Sequence, residues 1–528
     1  MDIMDNGNGR TNINRISDAV GLICFIIGAG VLFRTACFVL SEDIWFDELF
    51  TAQLASKPFG QMIELDSADV HPPLYYLIVR LVYIILHPLT GMSSVVASKI
   101  ASIIPYVFTF AYLLTYVRKR FGLLAGGIAF LLMETMPHMS EYMVEARMYS
   151  WSAFVLLAMF IHAMEFLDEG RYRHMIFMLI YGIAGMYLHY YALIGAGIIA
   201  VGTTVISFVR GAGRKVRISL CVCMAIALIA YIPWIGAMSG QVGQVSASYW
   251  IQPVSVRTIA GSAKYIFMPQ FENSILSYAC AVVMILAYVF TVGRFIFIHA
   301  RKKQFFECTY VAGSVMILIL LVLAGIVASV IIRPVFVYRY MFPAMFIFWL
   351  GAAVSLAYNV TSDISRYGVR GVLWIAVIAV YIISCVRCFN LFRWEEARKN
   401  QGMKDFGTVI EEVQNEYPDT MVVCNFNQVQ AIMWNYLDND SILWGYTDET
   451  LIGDICDRSP MVMTEDIDEL KSTVEAGGQD SFLFFGSGNA REEILDYWES
   501  NGMFTKMLQD SCFLERYYIN IYEVRFER

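Results

Sequence analysis

Residues 20–51 read VGLICFIIGAGVLFRTACFVLSEDIWFDELFT, a largely apolar run that changes at Ser41 into an acidic and aromatic segment. The part from Val20 to Leu40 is long enough for a membrane-spanning helix, which needs about 20 apolar residues. It is too long for the core of a signal peptide, and no small-residue cleavage site follows it. We therefore expect an uncleaved first membrane span followed by an acidic loop.

The rest of the chain has the same apolar character. Apolar residues make up 58% of the 528 residues and charged residues 16%, whereas soluble domains carry about 25% charged residues. The pattern therefore predicts a polytopic membrane protein. The twelve apolar segments are 17–41, 74–89, 95–117, 122–137, 150–167, 175–190, 191–209, 218–238, 275–298, 309–332, 341–359 and 372–391.

Basic loops between these segments determine the predicted topology, because Lys and Arg are enriched on the cytoplasmic side of a membrane. The basic clusters lie at 10–15, 118–120, 171–173, 210–217, 301–303 and 366–370. The basic clusters all lie on the cytoplasmic side only if segment 74–89 does not cross the membrane. We therefore expect segment 74–89 to be an amphipathic or re-entrant helix on the outer face. The prediction is about eleven spans in the cytoplasmic membrane, with a cytoplasmic N-terminus and an extracytoplasmic C-terminal domain.

The balance of charge changes sign near Arg393. From Arg393 to the C-terminus there are 11 Lys and Arg against 27 Asp and Glu, a net charge of −16. The preceding residues hold the remaining 27 Lys and Arg and the remaining 19 Asp and Glu, a net charge of +8. This asymmetry predicts a membrane domain over 1–391 and a water-exposed acidic domain over 392–528. An acidic surface disfavours nucleic acid as a partner.

The acidic domain alternates apolar runs with helical patterns, which predicts a small three-layer α/β domain. Strands are expected at 421–426, 442–446, 461–463, 481–485 and 517–526, with helices at 427–437, 466–475 and 489–500. The predicted fold class is thus an all-α polytopic membrane domain with juxtamembrane helices, followed by a soluble α/β domain.

The loop after the first span holds the first group of candidate functional residues. Asp47 and Glu48 are surrounded by aromatic and apolar side chains, and Asp69 and His71 immediately precede an apolar helix. Burial at a membrane interface raises the pKa of a carboxyl group toward that of a useful general base. A solvated acidic loop is the alternative, but it leaves the aromatic surroundings unexplained.

Residues at other outer helix ends form the second group. Helical spacing places Glu141 and Glu145 on one face, with Tyr149 one turn further along. Arg147 lies at the same helix mouth, where it is either an interfacial anchor or a phosphate ligand, since its planar donors match phosphate oxygens. The remaining members of this group are His189, Arg339 and Tyr340. Together the two groups indicate an outward-facing site for a hydroxyl nucleophile, a general base and an anionic leaving group.

These residues lie in motifs that resemble bacterial glycosyltransferases of the GT-C superfamily. The nearest are family-39-like enzymes related to protein O-mannosyltransferases and to the aminoarabinose transferases of lipid A. The similarity extends over residues 15–390. The motifs are Trp45-Phe46-Asp47-Glu48, Asp69-Val70-His71-Pro72-Pro73-Leu74, Glu145-Ala146-Arg147-Met148-Tyr149, His189-Tyr190 and Arg339-Tyr340 with Pro343.

The resemblance implies an inverting, hexosyltransferase-type enzyme that moves one sugar from a polyprenyl-phosphate donor to an acceptor on the outer face. Asp47 matches the catalytic acidic residue that deprotonates the acceptor hydroxyl. The resemblance implies that Glu48 orients either Asp47 or the sugar. Arg147 and Arg339 match the ligands of the lipid phosphate. The other residues implied on the donor side are Tyr149, Tyr340 and His189, and those near donor or acceptor are Asp69, His71 and Glu145.

Two points stay open within the resemblance. Some relatives use a divalent metal, for which Asp47, Asp69 and His71 are the candidate ligands, although no tight ligand spacing is present. Aminoarabinose transferases carry a Lys before the Pro-Pro pair, whereas this chain has His71, which puts a lipid A substrate in doubt. The acceptor is a glycan, a lipid or a protein, and acceptor recognition is a hypothesis for the acidic domain.

A transporter or flippase of lipid-linked saccharide is the main alternative. Transporters place charged residues near the bilayer midplane and often have repeated halves. Here the informative charges lie at outer helix ends, and the sequence has no repeat. A scaffold displaying the acidic domain is a third possibility, but it leaves the first outer loop unexplained.

Overall fold

The computed structural model describes residues 6–41, 44–247, 251–363, 369–418, 420–425, 427–434, 436–437, 443–444, 450–458, 466–514 and 517–526. Its first half contains helices α1 Asn6–Ala36, α2 Phe46–Ser56, α3 Phe59–Ser67, α4 Leu74–Thr90, α5 Ser94–Tyr112, α6 Arg118–Phe121, α7 Leu123–Thr135, α8 Glu141–Val144, α9 Tyr149–Glu169, α10 Tyr172–Leu188 and α11 Tyr190–Val209. The helices that follow are α12 Arg214–Tyr231, α13 Ile235–Ala247, α14 Val256–Phe267, α15 Ser274–Arg301, α16 Phe305–Ile331, α17 Phe342–Asp363 and α18 Val369–Glu416. Short 3-10 or π-helical turns lie at Cys37–Leu40, Leu113–Val117, Ile232–Trp234 and Tyr338–Met341.

Among the described residues, nine helices are long and apolar enough to cross a membrane. The chain is therefore a multi-pass membrane protein, as predicted. Two other predicted spans correspond to α7 and α10, which have 13 and 17 residues. The helix predicted to stay on the outer face is α4, which has 17 residues and contains Pro88; its position relative to the membrane stays a prediction. The nine helices that are long and apolar enough to cross a membrane are Arg15–Leu40, Ser94–Phe121, Tyr149–Glu169, Tyr190–Val209, Arg214–Gly243, Ser274–Arg301, Phe305–Ile331, Tyr338–Asp363 and Gly371–Glu416.

The described residues form two compact units that alternate along the chain. The membrane unit comprises Met1–Val39, Asp66–Ile78 and Lys99–Arg393. The α/β unit comprises Leu40–Leu65, Val79–Ser98 and Trp394–Arg528. Helix α18 has 48 residues and continues without a break from the first unit into the second. The predicted domain boundary at 391/392 thus falls inside a helix, and the division into domains there stays a prediction.

Helix α17 forms the centre of the membrane unit. Every residue from Phe342 to Ala357 is buried, as expected for a helix that is apolar on all sides. It packs against α7, α9, α15 and α16. Helix α7 also packs closely against α1: a Cβ added at Gly127 would lie 2.4 Å from the carbonyl oxygen of Gly21. Small residues at such crossings let helix backbones approach within a membrane.

The α/β unit contains a five-stranded sheet in the order β2-β1-β3-β5-β4. Strand β1 pairs in parallel with β2 and β3, whereas β5 pairs antiparallel with β3 and β4. The strands are β1 Val422–Cys424, β2 Leu443–Trp444, β3 Ser481–Ser487, β4 Met503–Leu514 and β5 Tyr517–Phe526, and the helices are α19 Asn427–Met433, α20 Thr450–Ile455, α21 Ile467–Ala476 and α22 Gly488–Ser500.

The two faces of this sheet are buried in separate apolar cores. Val422 and Leu483 point to the core that includes residues of α18, α19 and α20. Val423 and Phe484 point to the other core, with α21 and α22. Successive side chains of a strand alternate between faces, so each strand contributes to both cores. The result is the predicted three-layer arrangement.

Within residues 420–526, β4 and α20 were not predicted, and neither were α2 and α3 earlier in the same unit. Strand β4 is mostly exposed and has shifts of register against β5. It therefore lacks the apolar run by which a buried strand is recognised. The strand predicted at 461–463 lies outside the described residues.

Candidate active site

A hydrogen-bonded group in the loop before α4 joins three of the predicted site residues. Asp69 Oδ2 lies 3.3 Å from His71 Nδ1 and accepts from the hydroxyl of Tyr76 at 3.3 Å. Arg147 Nη2 lies 3.3 Å from His71 Nε2 and 3.4 Å from His71 Nδ1. Arg147 is only 4% exposed. The structure thus places Asp69, His71 and Arg147 side by side, although 76 residues separate the last two in sequence.

Two carboxyl groups of this loop have opposite electrostatic behaviour. Burial acts to raise the pKa of Asp69, but the hydrogen bond to His71, the positive charges of His71 and Arg147 and the Val70 backbone outweigh it, so the pKa is lowered. Asp66 is fully buried, and neither of its carboxyl oxygens has a hydrogen-bond partner among the described residues. Burial, with the charge of Asp69, therefore raises the pKa of Asp66 well above its ordinary value.

Gln241 of α13 fixes this loop against the membrane helices. Its Nε2 donates to the backbone carbonyls of Asp66 and His71 at 2.9 and 3.3 Å, and its Oε1 accepts from the Tyr190 hydroxyl. Gln241 is 1% exposed. Sequence reasoning missed it because its role depends on backbone carbonyls that have no signature in the local sequence.

His189 contacts side chains at the starts of two other helices. It caps α11 because its Nδ1 accepts from the backbone N–H of Tyr191 at 3.1 Å. Its ring centroid lies 5.7 Å from that of Tyr149, which begins α9, and 5.1 Å from that of Tyr340, in the turn before α17. It also lies 5.7 Å from the ring of His71. The structure thus brings four of the predicted site residues together around His189.

The protonation of His189 follows from its surroundings. Burial, together with the positive charges of His71, Arg147 and Arg339, lowers the pKa of His189 well below its ordinary value. The imidazole is therefore neutral, and because Nδ1 is an acceptor, Nε2 carries the proton. This N–H is a donor that does not depend on a charged ring. Arg339, half-buried beside Tyr340, adds a second arginine near His189.

A cavity of about 170 Å³ opens beside these groups. Its lining includes the neighbouring polar side chains of His71, His189 and Tyr340 together with apolar side chains. Two of the apolar residues, Val242 and Ile332, are 42% and 53% exposed. Such a cavity matches a molecule with a polar head and an apolar chain. Its complete lining is Val70, His71, His189, Tyr190, Tyr191, Ile194, Gln241, Val242, Ile251, Ala328, Ile332, Val335 and Tyr340.

Asp47 and Glu48 lie in the first turn of α2, in the α/β unit. Glu48 is 4% exposed, and its Oε2 accepts from the backbone N–H of Trp45 at 3.3 Å. This contact satisfies a donor at the helix start, so Glu48 stabilises the turn that carries Asp47. Asp47 itself is half-buried, and its carbonyl accepts from the Thr51 hydroxyl at 2.8 Å. Glu145, the remaining predicted residue, is 8% exposed two positions before Arg147.

Metal binding at Asp47, Asp69 and His71 stays a prediction. Among the described residues, the one cluster of three side chains that could hold a metal ion is elsewhere, at Glu165, Glu169 and His174. There Arg173 Nε donates to the same His174 nitrogen that faces Glu169. Because a guanidinium occupies that position, we interpret this cluster as an ion-pair network between α9 and α10.

No protein-family model and no curated protein matches this chain. Solved structures do. ArnT from Cupriavidus metallidurans in the apo state has a TM-score of 0.56 at 12% identity, covering 95% of this chain and 98% of ArnT. ArnT bound to undecaprenyl phosphate has a TM-score of 0.56 at 13% identity, covering 95% and 97%. The Archaeoglobus fulgidus oligosaccharyltransferase, at 12% identity and covering 88% and 69%, has a TM-score of 0.46, which is too low to support an argument.

At this level of identity the similarity to ArnT establishes the fold alone. The chain shares the fold of ArnT, and the predicted fold class, a polytopic helical membrane domain followed by a smaller α/β domain, is confirmed. Nearly the whole chain takes part in the match, so the α/β unit is included in the similarity.

Proposed function

We propose that this protein is an inverting glycosyltransferase that moves a single sugar from a polyprenyl-phosphate donor to an acceptor on the outer face of the cytoplasmic membrane. The observation that carries the proposal is the cavity lined by both polar and apolar side chains. The polar side chains include His189 and His71, with Arg147 and Arg339 close by. ArnT, which shares the fold, has been solved with undecaprenyl phosphate bound.

The donor phosphate would be held beside the polar residues of the cavity. Arg147 and Arg339 supply guanidinium donors, and His189 supplies its Nε2–H. The isoprenoid chain would follow apolar residues of the lining such as Ile194, Ala328 and Ile332. These groups match the charge that grows on the phosphate oxygen as the glycosidic bond breaks, so they stabilise the leaving group.

The acceptor hydroxyl needs a base, for which we propose Asp47. Its carboxylate takes the hydroxyl proton while the acceptor oxygen forms a bond to the anomeric carbon. The bond between that carbon and the phosphate oxygen breaks, and polyprenyl phosphate leaves with inversion at the carbon. Glu48 keeps the first turn of α2 intact and so orients Asp47. Asp69 orients His71 through their hydrogen bond.

The direct test supplies undecaprenyl-phosphate sugars to the purified protein with envelope extract as acceptor, and follows the release of undecaprenyl phosphate. Asp47→Asn is expected to lower kcat by roughly 10²- to 10⁴-fold, the usual contribution of a general base. Asp496→Asn, an exposed carboxylate on α22, serves as the matched control and is expected to retain full activity. Equal turnover by Asp47→Asn and the wild type would exclude Asp47 as the base. Movement of intact donor across vesicles without sugar release would favour the flippase alternative.

A further inference from the structure

The helix that carries Asp47 is part of the hydrophobic core of the α/β unit. Leu49 of α2 is 1% exposed and Ile44, just before the helix, is 7% exposed. Both belong to the core formed by one face of the sheet with α18, α19 and α20. Helix α2 packs directly against α19 and α20. An apolar side of α2 is therefore covered by chain segments that follow it by nearly 400 residues.

The C-terminal end of α2 is also held within this unit. Lys57, which is 4% exposed, forms an ion pair with Asp457, the second residue after α20. Arg80 of α4 donates to the carbonyl oxygens of Lys57 and Ala55, the latter at 3.3 Å. A positive side chain at these carbonyls satisfies the end of the helix and complements its dipole. Both ends of α2 are thus fixed by side chains of the α/β unit.

We propose that residues 394–528 are the structural support that positions Asp47, with Lys57 as a positioning residue at the far end of α2. The inference rests on the proposed function, because it takes Asp47 as the base. It gives the C-terminal domain a role in the rate of the chemical step, which differs from a role in acceptor recognition. An error in position of about 1 Å is enough to lower a rate roughly 10²-fold, so loss of support is expected to lower kcat.

The two faces of the sheet provide a matched pair of variants. Val422 and Val423 are consecutive residues of β1, 2% and 1% exposed. Val422 belongs to the core that includes α2, and Val423 belongs to the opposite core. Replacing either by Ala removes the same two methyl groups from the same strand. The two variants therefore differ in whether the altered core contains α2.

The test uses the full chain in detergent micelles and two measurements, amide hydrogen exchange over residues 44–57 and donor turnover. Val422→Ala is expected to accelerate exchange in α2 and to lower kcat about tenfold with the donor KM unchanged, while Val423→Ala leaves both at the wild-type values. Equal effects of the two variants on kcat and on exchange would overturn the proposal. So would a Val422→Ala variant whose kcat is unchanged and whose acceptor KM is raised.

Lys57 gives an independent second measurement. Lys57→Met removes the charge that pairs with Asp457 and is expected to lower kcat about fivefold, whereas Lys57→Arg keeps the pair and stays within about twofold of the wild type. A Lys57→Arg variant as slow as Lys57→Met, or a Lys57→Met variant as fast as the wild type, contradicts the assignment. Hydrogen exchange needs no turnover, so it tests the support of α2 even where the wild type transfers no sugar.

Discussion

The proposed donor site and the proposed base are built by different means. The donor site lies in the membrane unit, where His71, Arg147, His189 and Gln241 are buried and linked through hydrogen bonds and ring contacts. Asp47 lies on a short helix of the α/β unit, whose buried side is covered by the C-terminal sheet domain. The contrast is that the polar group is held by neighbouring membrane helices, whereas the helix of the proposed base packs against residues that follow the last span.

This difference predicts which perturbations affect which kinetic constant. Changes in the membrane unit are expected to alter donor binding, and changes in the core around α2 are expected to alter turnover. The four predictions that follow use this separation and are ordered by the size of the expected effect.

Among these four, Arg147 is expected to give the largest loss. Arg147→Gln removes the charge and the planar donors, and we expect kcat/KM for the donor to fall about 100-fold, equivalent to roughly 3 kcal/mol. Arg147→Lys should recover part of this loss, because it restores charge without the planar donors. Arg333→Lys, outside the lining of the cavity, is the control and should remain active. A donor kcat/KM that is equal in Arg147→Gln and the wild type contradicts the phosphate assignment.

Gln241 should affect stability and donor binding together. Gln241→Leu removes the hydrogen bonds of Gln241 to the carbonyls of Asp66 and His71 and to the Tyr190 hydroxyl, a loss of about 1–3 kcal/mol in the free energy of unfolding. We also expect a higher KM for the donor, since the loop bearing His71 is no longer fixed. Thermal unfolding and donor titration measure the two effects, with the exposed Gln270→Leu as the control. Unchanged values of both would show that Gln241 has no role in fixing the loop.

Asp66 and Asp69 are expected to affect stability in opposite directions. The raised pKa of Asp66 means that the native state binds a proton more tightly than the unfolded state does. The contribution of Asp66 to the free energy of unfolding therefore falls as the pH rises above the pKa that this group has in the unfolded chain. Asp66→Asn should therefore raise the unfolding temperature by a few degrees at neutral pH. The lowered pKa of Asp69 stabilises the native state at pH above the pKa that Asp69 has in the unfolded chain. This stabilisation is lost as the pH falls through the pKa of Asp69 in the folded protein.

The measurement for this pair is a series of unfolding temperatures between acidic and neutral pH. Asp69→Asn should lower the unfolding temperature at neutral pH and converge with the wild type in acid. Asp66→Asn should have a higher unfolding temperature than the wild type only toward neutral pH. If both variants changed the unfolding temperature in the same direction at neutral pH, the electrostatic description of this loop would be contradicted.

Glu48 should give the smallest effect. Glu48→Gln keeps an oxygen that accepts from the Trp45 N–H, and we expect turnover close to that of the wild type. Glu48→Leu removes the cap at a cost of about 0.5–2 kcal/mol to the helix start, and kcat should fall moderately. A kcat loss in Glu48→Gln as large as in Asp47→Asn would assign Glu48 a direct role in the chemistry.

Local patterns in the sequence predicted the fold class and several residues of the proposed donor site. Apolar segments identified the membrane helices, and motif residues such as His71, Arg147 and His189 proved to be neighbours. Gln241 and Asp66 were missed because their roles depend on a backbone carbonyl and on complete burial, which have no local signature. The inclusion of α2 in the core of a distant domain was missed for the same reason, since Leu49 reads simply as one apolar residue near a span.

The capped ring of His189 bears on how the protein tolerates acid in its surroundings. On the proposed outer face, the site experiences the acidity of the medium. A neutral imidazole whose proton is fixed on Nε2 keeps its donor through mild acidification, so phosphate binding there does not titrate with an ordinary histidine. The unfolded chain does take up a proton near the ordinary value, which favours unfolding as pH falls below about 6.5. For His189, the acid limit is therefore loss of the folded protein before loss of the donor.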